Sequence, residues 1–272
     1  GTAPEGKLPI DAEALTKIAC PCAPMYSPDG RRLVYELVTP DAGSNSYRHE
    51  LRILEGGKDR PLPAGDESSC RVWLDPATLL LRKNTEPASA FFALNVESGV
   101  LTPAFSVPAQ VMQIIALDGG DFALLCYYDR QAAERDPGWE EIDEIPFWGS
   151  GRGIFAGRRC RLYRYSPDAG SMEPITGETM QIEHLAGNGG GLVWSGIDYR
   201  DVYSARCGIY AYDVSERRTR CLVEPGVLFT AGLDILGERV MLLSSGNAQD
   251  DAWQPQDLYG VPFAGGSLEK LA

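Results

Sequence analysis

The sequence has 272 residues, of which 44% are hydrophobic and 30 are glycines, enough for a large core with many tight turns. A formal net charge of −13 excludes the basic footprint that phosphate binding needs, so nucleic acid is not expected as a partner. No run approaches the roughly 18 apolar residues of a membrane span, so the membrane is not expected as a partner either.

Residues 1–24 are interpreted as a leader segment in front of a series of repeats. Residues 11–19 are compatible with a short amphipathic helix or an edge segment, and the first six residues lack the basic and apolar parts of a secretory signal sequence. Seven cysteines without regular spacing favour reduced thiols in a cytoplasmic protein. Cys20 and Cys22 have no second ligand pair, so we expect no metal and no other cofactor.

The chain then repeats one pattern five times: a polar turn, an apolar run, and a second apolar run that ends in another polar turn. The turns are rich in Gly, Asp and Pro, which supply the dihedrals that a hairpin needs. The first runs comprise residues 33–38, 79–81, 122–128, 192–194 and 240–243. The second runs begin at Leu51, Phe91, Leu162, Ile209 and Leu258.

The spacing of the second runs predicts the architecture. Their starting points are separated by 40, 71, 47 and 49 residues, so only one step is out of line. A period of roughly 40 to 45 residues with about four short strands per unit is typical of a β-propeller blade. We therefore predict an all-β fold, a β-propeller domain over residues 25–272. Its five four-stranded blades are expected at about 25–67, 68–108, 109–179, 180–226 and 227–272.

The long step indicates an insertion in the third blade, at about residues 129–158. It mixes acidic side chains with large aromatic ones, and a long excursion of this kind often carries function. The structural alternative is a solvated loop whose Phe147 and Trp148 cover a blade edge. The candidate substrate-binding residues are Trp139, Glu140, Glu141, Asp143, Glu144, Phe147, Trp148 and Arg152.

Three segments resemble the N-terminal β-propeller of the prolyl oligopeptidase family. Residues 25–35 (Met-Tyr-Ser-Pro-Asp-Gly-Arg-Arg-Leu-Val-Tyr) are similar to its first-blade motif, which TolB-like propellers share. Residues 142–148 (Ile-Asp-Glu-Ile-Pro-Phe-Trp), the glycine-rich turn at 151–153 and the strand around Leu162 follow the order of the acylaminoacyl-peptidase-like branch. Residues 9–19 also resemble the family's approach to blade one.

This resemblance implies a seven-bladed propeller followed by a C-terminal α/β-hydrolase domain with a Ser, Asp, His triad. The sequence departs from that plan, because it holds five recognisable blades and no hydrolase domain. Ser150 stands in the wrong place for a Gly-x-Ser-x-Gly nucleophile elbow and has no strand-to-helix setting around it. We therefore expect no catalytic residue in this chain, and structural positions for His49 and His184.

The function that the resemblance implies is a noncatalytic domain of a serine oligopeptidase of acylaminoacyl-peptidase or dipeptidyl-peptidase type. Such a domain caps the active site and limits access to short peptides. The expected partners are the C-terminal hydrolase domain of the parent protein and short peptides. Glu140 and Glu141 are candidates for binding a peptide ammonium group, since carboxylates attract a cation strongly where water is partly excluded.

Two other functions fit the repeat. One is a stand-alone five-bladed propeller that serves as a protein or peptide interaction module. The other is a glycan-active enzyme with two inward-facing carboxylates. Its candidates Asp29, Asp75, Asp118 and Asp234 lie at turn-like positions, where Asp usually serves backbone hydrogen bonding.

The end of the sequence falls at a blade boundary, which is compatible with a piece of a larger ring. An open arc of blades would expose strand edges, and exposed edges pair with other chains. A homodimer through blade edges is therefore a further expectation.

Overall fold

The computed structural model describes most of the chain. The described residues are 14, 16–64, 70–85, 87–130, 132, 138–139, 142, 144, 148–149, 153–199, 207–245 and 255–272. The chain divides into two compact units, Gly1–Pro108 and Ala109–Ala272. The division coincides with the expected boundary between the second and third blades.

The first unit holds two four-stranded antiparallel sheets in which sequential strands are neighbours. Blade one comprises β1 (Cys20–Tyr26), β2 (Arg32–Asp41), β3 (Ser46–Glu55) and β4 (Lys58–Pro61). Blade two comprises β5 (Arg71–Asp75), β6 (Thr78–Thr85), β7 (Ala88–Asn95) and β8 (Leu101–Val107). The buried side chains of Val34, Leu51 and Ile53 pack with Trp73 and Leu79 in one core, which joins the two blades.

The second unit holds the other three four-stranded sheets. Blade three comprises β9 (Val111–Ala116), β10 (Phe122–Asp129), β13 (Arg158–Ser166) and β14 (Ser171–Pro174). Between β10 and β13, the strands β11 (Trp148–Gly149) and β12 (Gly153–Ile154) form a separate hairpin. Blade four comprises β15 (Met180–Gly187), β16 (Gly191–Asp198), β17 (Gly208–Asp213) and β18 (Arg218–Val223). Blade five comprises β19 (Phe229–Leu236), β20 (Arg239–Ser245), β21 (Asp257–Pro262) and β22 (Glu269–Lys270). These sheets confirm the predicted fold class, an all-β propeller of five four-stranded blades.

The second strands of blades three and four explain why the sequence shows continuous apolar runs there. Seven of the eight residues of β16 are buried, and so are the first five of β10. A strand covered on both faces is apolar throughout, whereas a strand with one solvated face alternates. In blade four the ring of Trp194 stacks on Tyr210 of β17 at a centroid distance of 5.8 Å.

A tight turn precedes β2, as the residues Ser27, Asp29 and Gly30 indicate. The Gly30 amide donates to the Ser27 carbonyl at 2.8 Å, and Gly30 has a φ of 69°, which L side chains rarely adopt. The Ser27 hydroxyl donates to the Asp29 carboxylate at 2.6 Å. The predicted hairpin chemistry is therefore present at this turn.

The first strand begins earlier than the boundary expected at residue 24. Cys20 of β1 pairs with Val38 of β2, and Tyr26 pairs with Leu33. The end of the expected leader segment is thus part of blade one. Residues 1–13 and 15 lie outside the described residues.

The described residues bear on two possible partners, a membrane and a metal ion. No helix in the described part of the chain is long and apolar enough to cross a membrane. The same residues contain no group of three or more His, Cys, Asp or Glu side chains placed to hold a metal ion.

Candidate functional site

The candidate site is the insertion that leaves blade three between β10 and β13. The two strands pair without interruption from Phe122 and Tyr165 to Asp129 and Arg158, where the insertion departs. It therefore extends from one defined end of the blade.

The base of the insertion is closed by backbone and charged contacts. The Arg130 amide donates to the Gly157 carbonyl at 2.9 Å. The Arg158 guanidinium lies 3.6 Å from the Asp129 carboxylate and donates to the Ile154 carbonyl. These contacts hold both ends of the insertion against the blade.

Glu144 is a central contact of this base. Its carboxylate accepts a hydrogen bond from the Arg159 guanidinium and another, at 3.0 Å, from the Gly157 amide. Arg130 lies 3.6 Å away as a second cation. Both carboxylate oxygens are therefore hydrogen-bonded. Only 10% of the Glu144 side chain is exposed, so little water reaches this site. Glu144 thus ties the insertion to the blade.

Arg159 extends the same cluster to blade four. Its side chain is 2% exposed, and its guanidinium carbon lies over the ring of Tyr199, which directly follows β16. A buried guanidinium requires a counter-charge and hydrogen-bond acceptors, which Glu144 and the Arg158 carbonyl provide. The cation–π contact with Tyr199 adds stabilisation at a site shielded from water.

Beyond this base, the described part of the insertion exposes large apolar side chains. Trp139 is 64% exposed, Trp148 is 58% exposed and Ile142 is 41% exposed. Exposed aromatic groups on a long connection suit recognition of another molecule, since rings bury much area on binding.

The predicted site residues fall into three groups: described residues at the surface, one described residue at the base of the insertion, and residues outside the described part of the chain. The structure describes Trp139 and Trp148, both at the surface, and Glu144, which is paired at the base. Glu140, Glu141, Asp143, Phe147 and Arg152 lie outside the described residues.

The sequence reasoning missed Arg130, Arg159 and Tyr199, which complete the base. The available signal was Arg158-Arg159 at the start of a strand that is flanked by two others, because such a strand rarely carries an unpaired cation.

The described residues contain a hydrogen bond between a serine and a histidine. His184 Nδ1 lies 3.0 Å from the hydroxyl of Ser195, on adjacent strands of blade four. Ser195 is 0% exposed, so a substrate carbonyl has no access to its hydroxyl. The pair stabilises the sheet and does not form a nucleophilic site.

The other histidine lies in the first unit. His49 Nδ1 is 2.9 Å from a carboxylate oxygen of Glu36, whose other oxygen lies 3.9 Å from the Cys22 sulfur. The pKa of Cys22 is raised, first by burial and then by the charge of Glu36. A nucleophilic cysteine needs a lowered pKa, so this arrangement does not activate the thiol.

Two of the four carboxylates considered for glycan chemistry, Asp29 and Asp75, are engaged in turns, whereas Asp234 lies within strand β19. Asp29 accepts hydrogen bonds from Ser27 and from the Arg31 amide, and Asp75 accepts from the Ala77 and Thr78 amides. The pKa of each of these two carboxyl groups is lowered, chiefly by the first hydrogen bond named for it. A general acid for glycoside cleavage needs a raised pKa, so neither residue suits that role.

Comparison with known proteins supports the fold. No protein-family model matches the sequence, and no curated protein matches it. Among solved structures, the chain is similar to an acylaminoacyl peptidase of Pyrococcus horikoshii, with a TM-score of 0.69 and 15% identity over 97% of this chain and 41% of that one.

Two further solved structures have a similar fold. A puromycin hydrolase matches with a TM-score of 0.59 and 11% identity over 94% of this chain and 39% of its own. TolB from Acinetobacter baumannii matches with a TM-score of 0.55 and 10% identity over 91% and 53%. At these identities the likeness shows the fold, and at that level it confirms the resemblance to the acylaminoacyl-peptidase propeller. This chain spans less than half the length of the acylaminoacyl peptidase and of the puromycin hydrolase.

Proposed function

We propose that this chain is the noncatalytic propeller of a serine oligopeptidase whose active site lies in a C-terminal α/β-hydrolase domain. The propeller caps that active site and limits access to short peptides in the cytoplasm. The observation that supports the proposal best is the fold match to an acylaminoacyl peptidase, which covers 97% of this chain but 41% of that protein.

The connections within the second unit support a recognition role for one end of its blades. The connections between second and third strands are long in blades three, four and five, at residues 130–157, 199–207 and 246–256. Those between first and second strands are short, at 117–121, 188–190 and 237–238. Because antiparallel strands alternate in direction, the two kinds of connection lie at opposite ends of each sheet.

In the contacts between blades three and four, the short-turn end of one blade meets the short-turn end of the other, and the ends with the long connections also meet. The Asp118 amide donates to the Gly189 carbonyl at 2.8 Å between two short turns. Arg159 meets Tyr199 where the long connections leave their sheets. The described ends of these long connections therefore lie close together, which supports a shared peptide-binding surface.

In this proposal different residues of the insertion bind different parts of the peptide. Trp139, Phe147 and Trp148 contact apolar parts of a peptide, and Glu140 and Glu141 attract its ammonium group. Asp143 and Arg152 complete the binding residues. Glu144 positions the insertion, since its carboxylate is engaged by Arg159 and Gly157.

The dimer expected through blade edges is not part of the proposal. The fourth strands of blades one, three and five have at most four residues and are almost wholly exposed. They carry Lys, Arg, Glu or Pro, which oppose pairing with another edge.

The first experiment compares this chain with the protein expressed from its complete reading frame. Both are incubated with a serine-directed fluorophosphonate probe and are assayed on an acylated amino acid and on a free-amine peptide. Labelling and turnover by the longer protein alone are the expected result. Labelling of the isolated chain would overturn the proposal, and an inert longer protein would favour an interaction module.

The second experiment tests the insertion in the complete protein. Exchanging Trp139 and Trp148 for Ser should raise KM for a tetrapeptide about 10-fold and leave a small ester substrate unaffected, since the ester does not reach the propeller. Glu140→Gln with Glu141→Gln should raise KM only for free-amine peptides. Leu236→Ser is the matched control, because Leu236 is 70% exposed at the opposite, short-turn end of the unit. Unchanged kinetics in the tryptophan variant would remove the insertion from substrate binding.

A further inference from the structure

A cleft of about 490 Å³ lies between blades four and five, at the short-turn end opposite the insertion. Its volume falls within the range of roughly 300 to 1,000 Å³ typical of ligand pockets. The cleft is lined by turns of both blades, namely by Asn188, Gly190, Gly191, Asp213, Ile235, Gly237, Glu238, Pro262, Phe263 and Ala264.

The walls of the cleft are held in place by close packing. A Cβ atom on Gly191 would lie 2.4 Å from Cζ of Phe263, so the ring rests directly on the glycine backbone. The Phe263 amide donates to the Glu238 carbonyl at 2.9 Å, which joins two turns of blade five. Asn188 accepts hydrogen bonds from the amides of Gly190 and Gly191 at 3.1 and 3.0 Å. The cleft is therefore preorganised, and little ordering is needed on binding.

The charge of the lining has one sign. Asp213 and Glu238 are its ionisable residues, and both are acidic. Hydrogen bonds from the Glu216 amide and from Ser215 lower the pKa of Asp213, so this carboxylate stays charged. Within the described chain, the Glu238 carboxylate makes no hydrogen bond or ion pair. The same cleft is lined by the apolar residues Ile235, Pro262 and Phe263.

We propose that this cleft binds the side chain of an arginine residue presented by a peptide. The apolar stem lies against Pro262 and the Phe263 ring, and the guanidinium is attracted by Asp213 and Glu238. Arginine suits the lining better than lysine, because its planar group stacks on an aromatic face and bonds carboxylates in a fork. This site lies at the far end of the unit from the insertion and does not depend on the peptidase proposal.

Calorimetric titration of this chain with an acetylated and amidated Gly-Arg-Gly peptide tests the inference. Saturable binding is expected, about 10-fold weaker or more for the same peptide with citrulline, which has the shape of arginine without its charge. Glu238→Gln should weaken binding about 5-fold or more, since it removes one carboxylate whose side chain has no described structural contact. High salt should weaken it as well, because the cleft is open to solvent.

Two further variants distinguish binding inside the cleft from attraction by negative charge elsewhere on the protein surface. Ala264→Phe should abolish binding by filling the cleft. Asp168→Asn removes one negative charge from the exposed β13–β14 turn, outside the lining, and should leave the affinity unchanged. Thermal unfolding of each variant is measured to check that it is folded.

Several outcomes would overturn the inference. They are absence of binding at millimolar peptide, equal affinity for the citrulline peptide, or affinities unchanged by Glu238→Gln and Ala264→Phe. Tighter binding of free agmatine than of the peptide would assign the cleft to small cations and contradict the peptide as its ligand.

Discussion

The guanidinium carbon of Arg159 lies 4.0 Å from the ring centroid of Tyr199. The contact joins β13 of blade three to the residue that follows β16 of blade four. Because Arg159 also pairs with Glu144, the insertion and two blades share one buried polar cluster. The packing of the second unit and the position of the insertion are therefore coupled.

Replacing Glu144 by Ala should destabilise the second unit by about 3 kcal/mol or more, because removal of one partner leaves a buried guanidinium without its counter-charge. Chemical denaturation followed by circular dichroism measures the loss. Glu144→Gln should recover part of it, since an amide oxygen still accepts a hydrogen bond.

Glu173→Ala is the control for this prediction. Glu173 lies 3.7 Å from Arg217, and both side chains are more than 60% exposed. An exposed pair of this kind contributes about 0 to 1 kcal/mol, so its removal should be nearly silent. Equal effects of the two alanine variants would contradict the assignment of a structural cluster around Glu144.

Gly191→Ala should destabilise the protein by about 1 to 3 kcal/mol, because the new methyl group overlaps the Phe263 ring and one of them must shift. Phe263→Leu in the same chain should restore part of the loss by making room. Gly232→Ala is the matched control, since an added Cβ there meets no atom within 4 Å. A silent Gly191→Ala variant would show that the two blades pack less closely than described.

The ion pair between Asp121 and Arg164 predicts a dependence of stability on acid pH. Arg164 Nε donates to Asp121 Oδ2 at 2.6 Å, and both side chains are at most 15% exposed. Burial alone would raise the pKa of Asp121, but hydrogen bonds from Arg164 and Ser166 outweigh it and lower the pKa. A lowered pKa means that the pair stabilises the fold above about pH 4 and that this contribution is lost as the pH falls further.

Asp121→Asn should therefore cost about 1 to 3 kcal/mol at pH 7 and much less at pH 3, where the natural carboxyl group is also becoming protonated. Urea unfolding at the two pH values measures the difference. Asp168→Asn, in an exposed turn, should have little effect at either pH. A constant cost of the Asp121 exchange across this range would assign it to packing and not to charge.

The cysteines should react with iodoacetamide in an order set by exposure and pKa. Cys20 is exposed, whereas burial raises the pKa of Cys70 and of Cys207 to about 11. At pH 8 the thiols of Cys70 and Cys207 are protonated and react slowly, so mass spectrometry should find Cys20 modified first. In urea the three should react at similar rates.

The same shifts predict the alkaline behaviour. The folded state holds the protons of Cys70 and Cys207 more tightly than the unfolded state does. Their contribution to stability is present below about pH 9 and is lost as the pH rises towards 11. A Cys70→Ala, Cys207→Ala variant should show a smaller alkaline decrease in unfolding free energy, and an unchanged decrease would assign it to other groups.

The repeat, and with it the fold class, can be read from the amino-acid sequence alone. Runs such as residues 33–38 and 122–128 are second strands of blades, and the second runs beginning at Leu51 and Leu162 fall in third strands. These features are local, since hairpin turns and apolar runs depend on residues within a few positions of one another. The third-blade insertion was visible for the same reason, as a break in the period.

The contacts between positions far apart in sequence became apparent only from the folded chain. The strand Cys20–Tyr26 contains two prolines and is mostly exposed, so it has no strand signal of its own and forms because β2 provides a partner edge. Glu144 appeared as one acidic residue among many, and its pairing with Arg159 beside Tyr199 depends on how two blades pack. Phe263 meets Gly191 across 72 residues of sequence for the same reason. Periodicity reveals which segments form sheets, but the choice of partners between sheets is made by side-chain shape and charge after the sheets have packed.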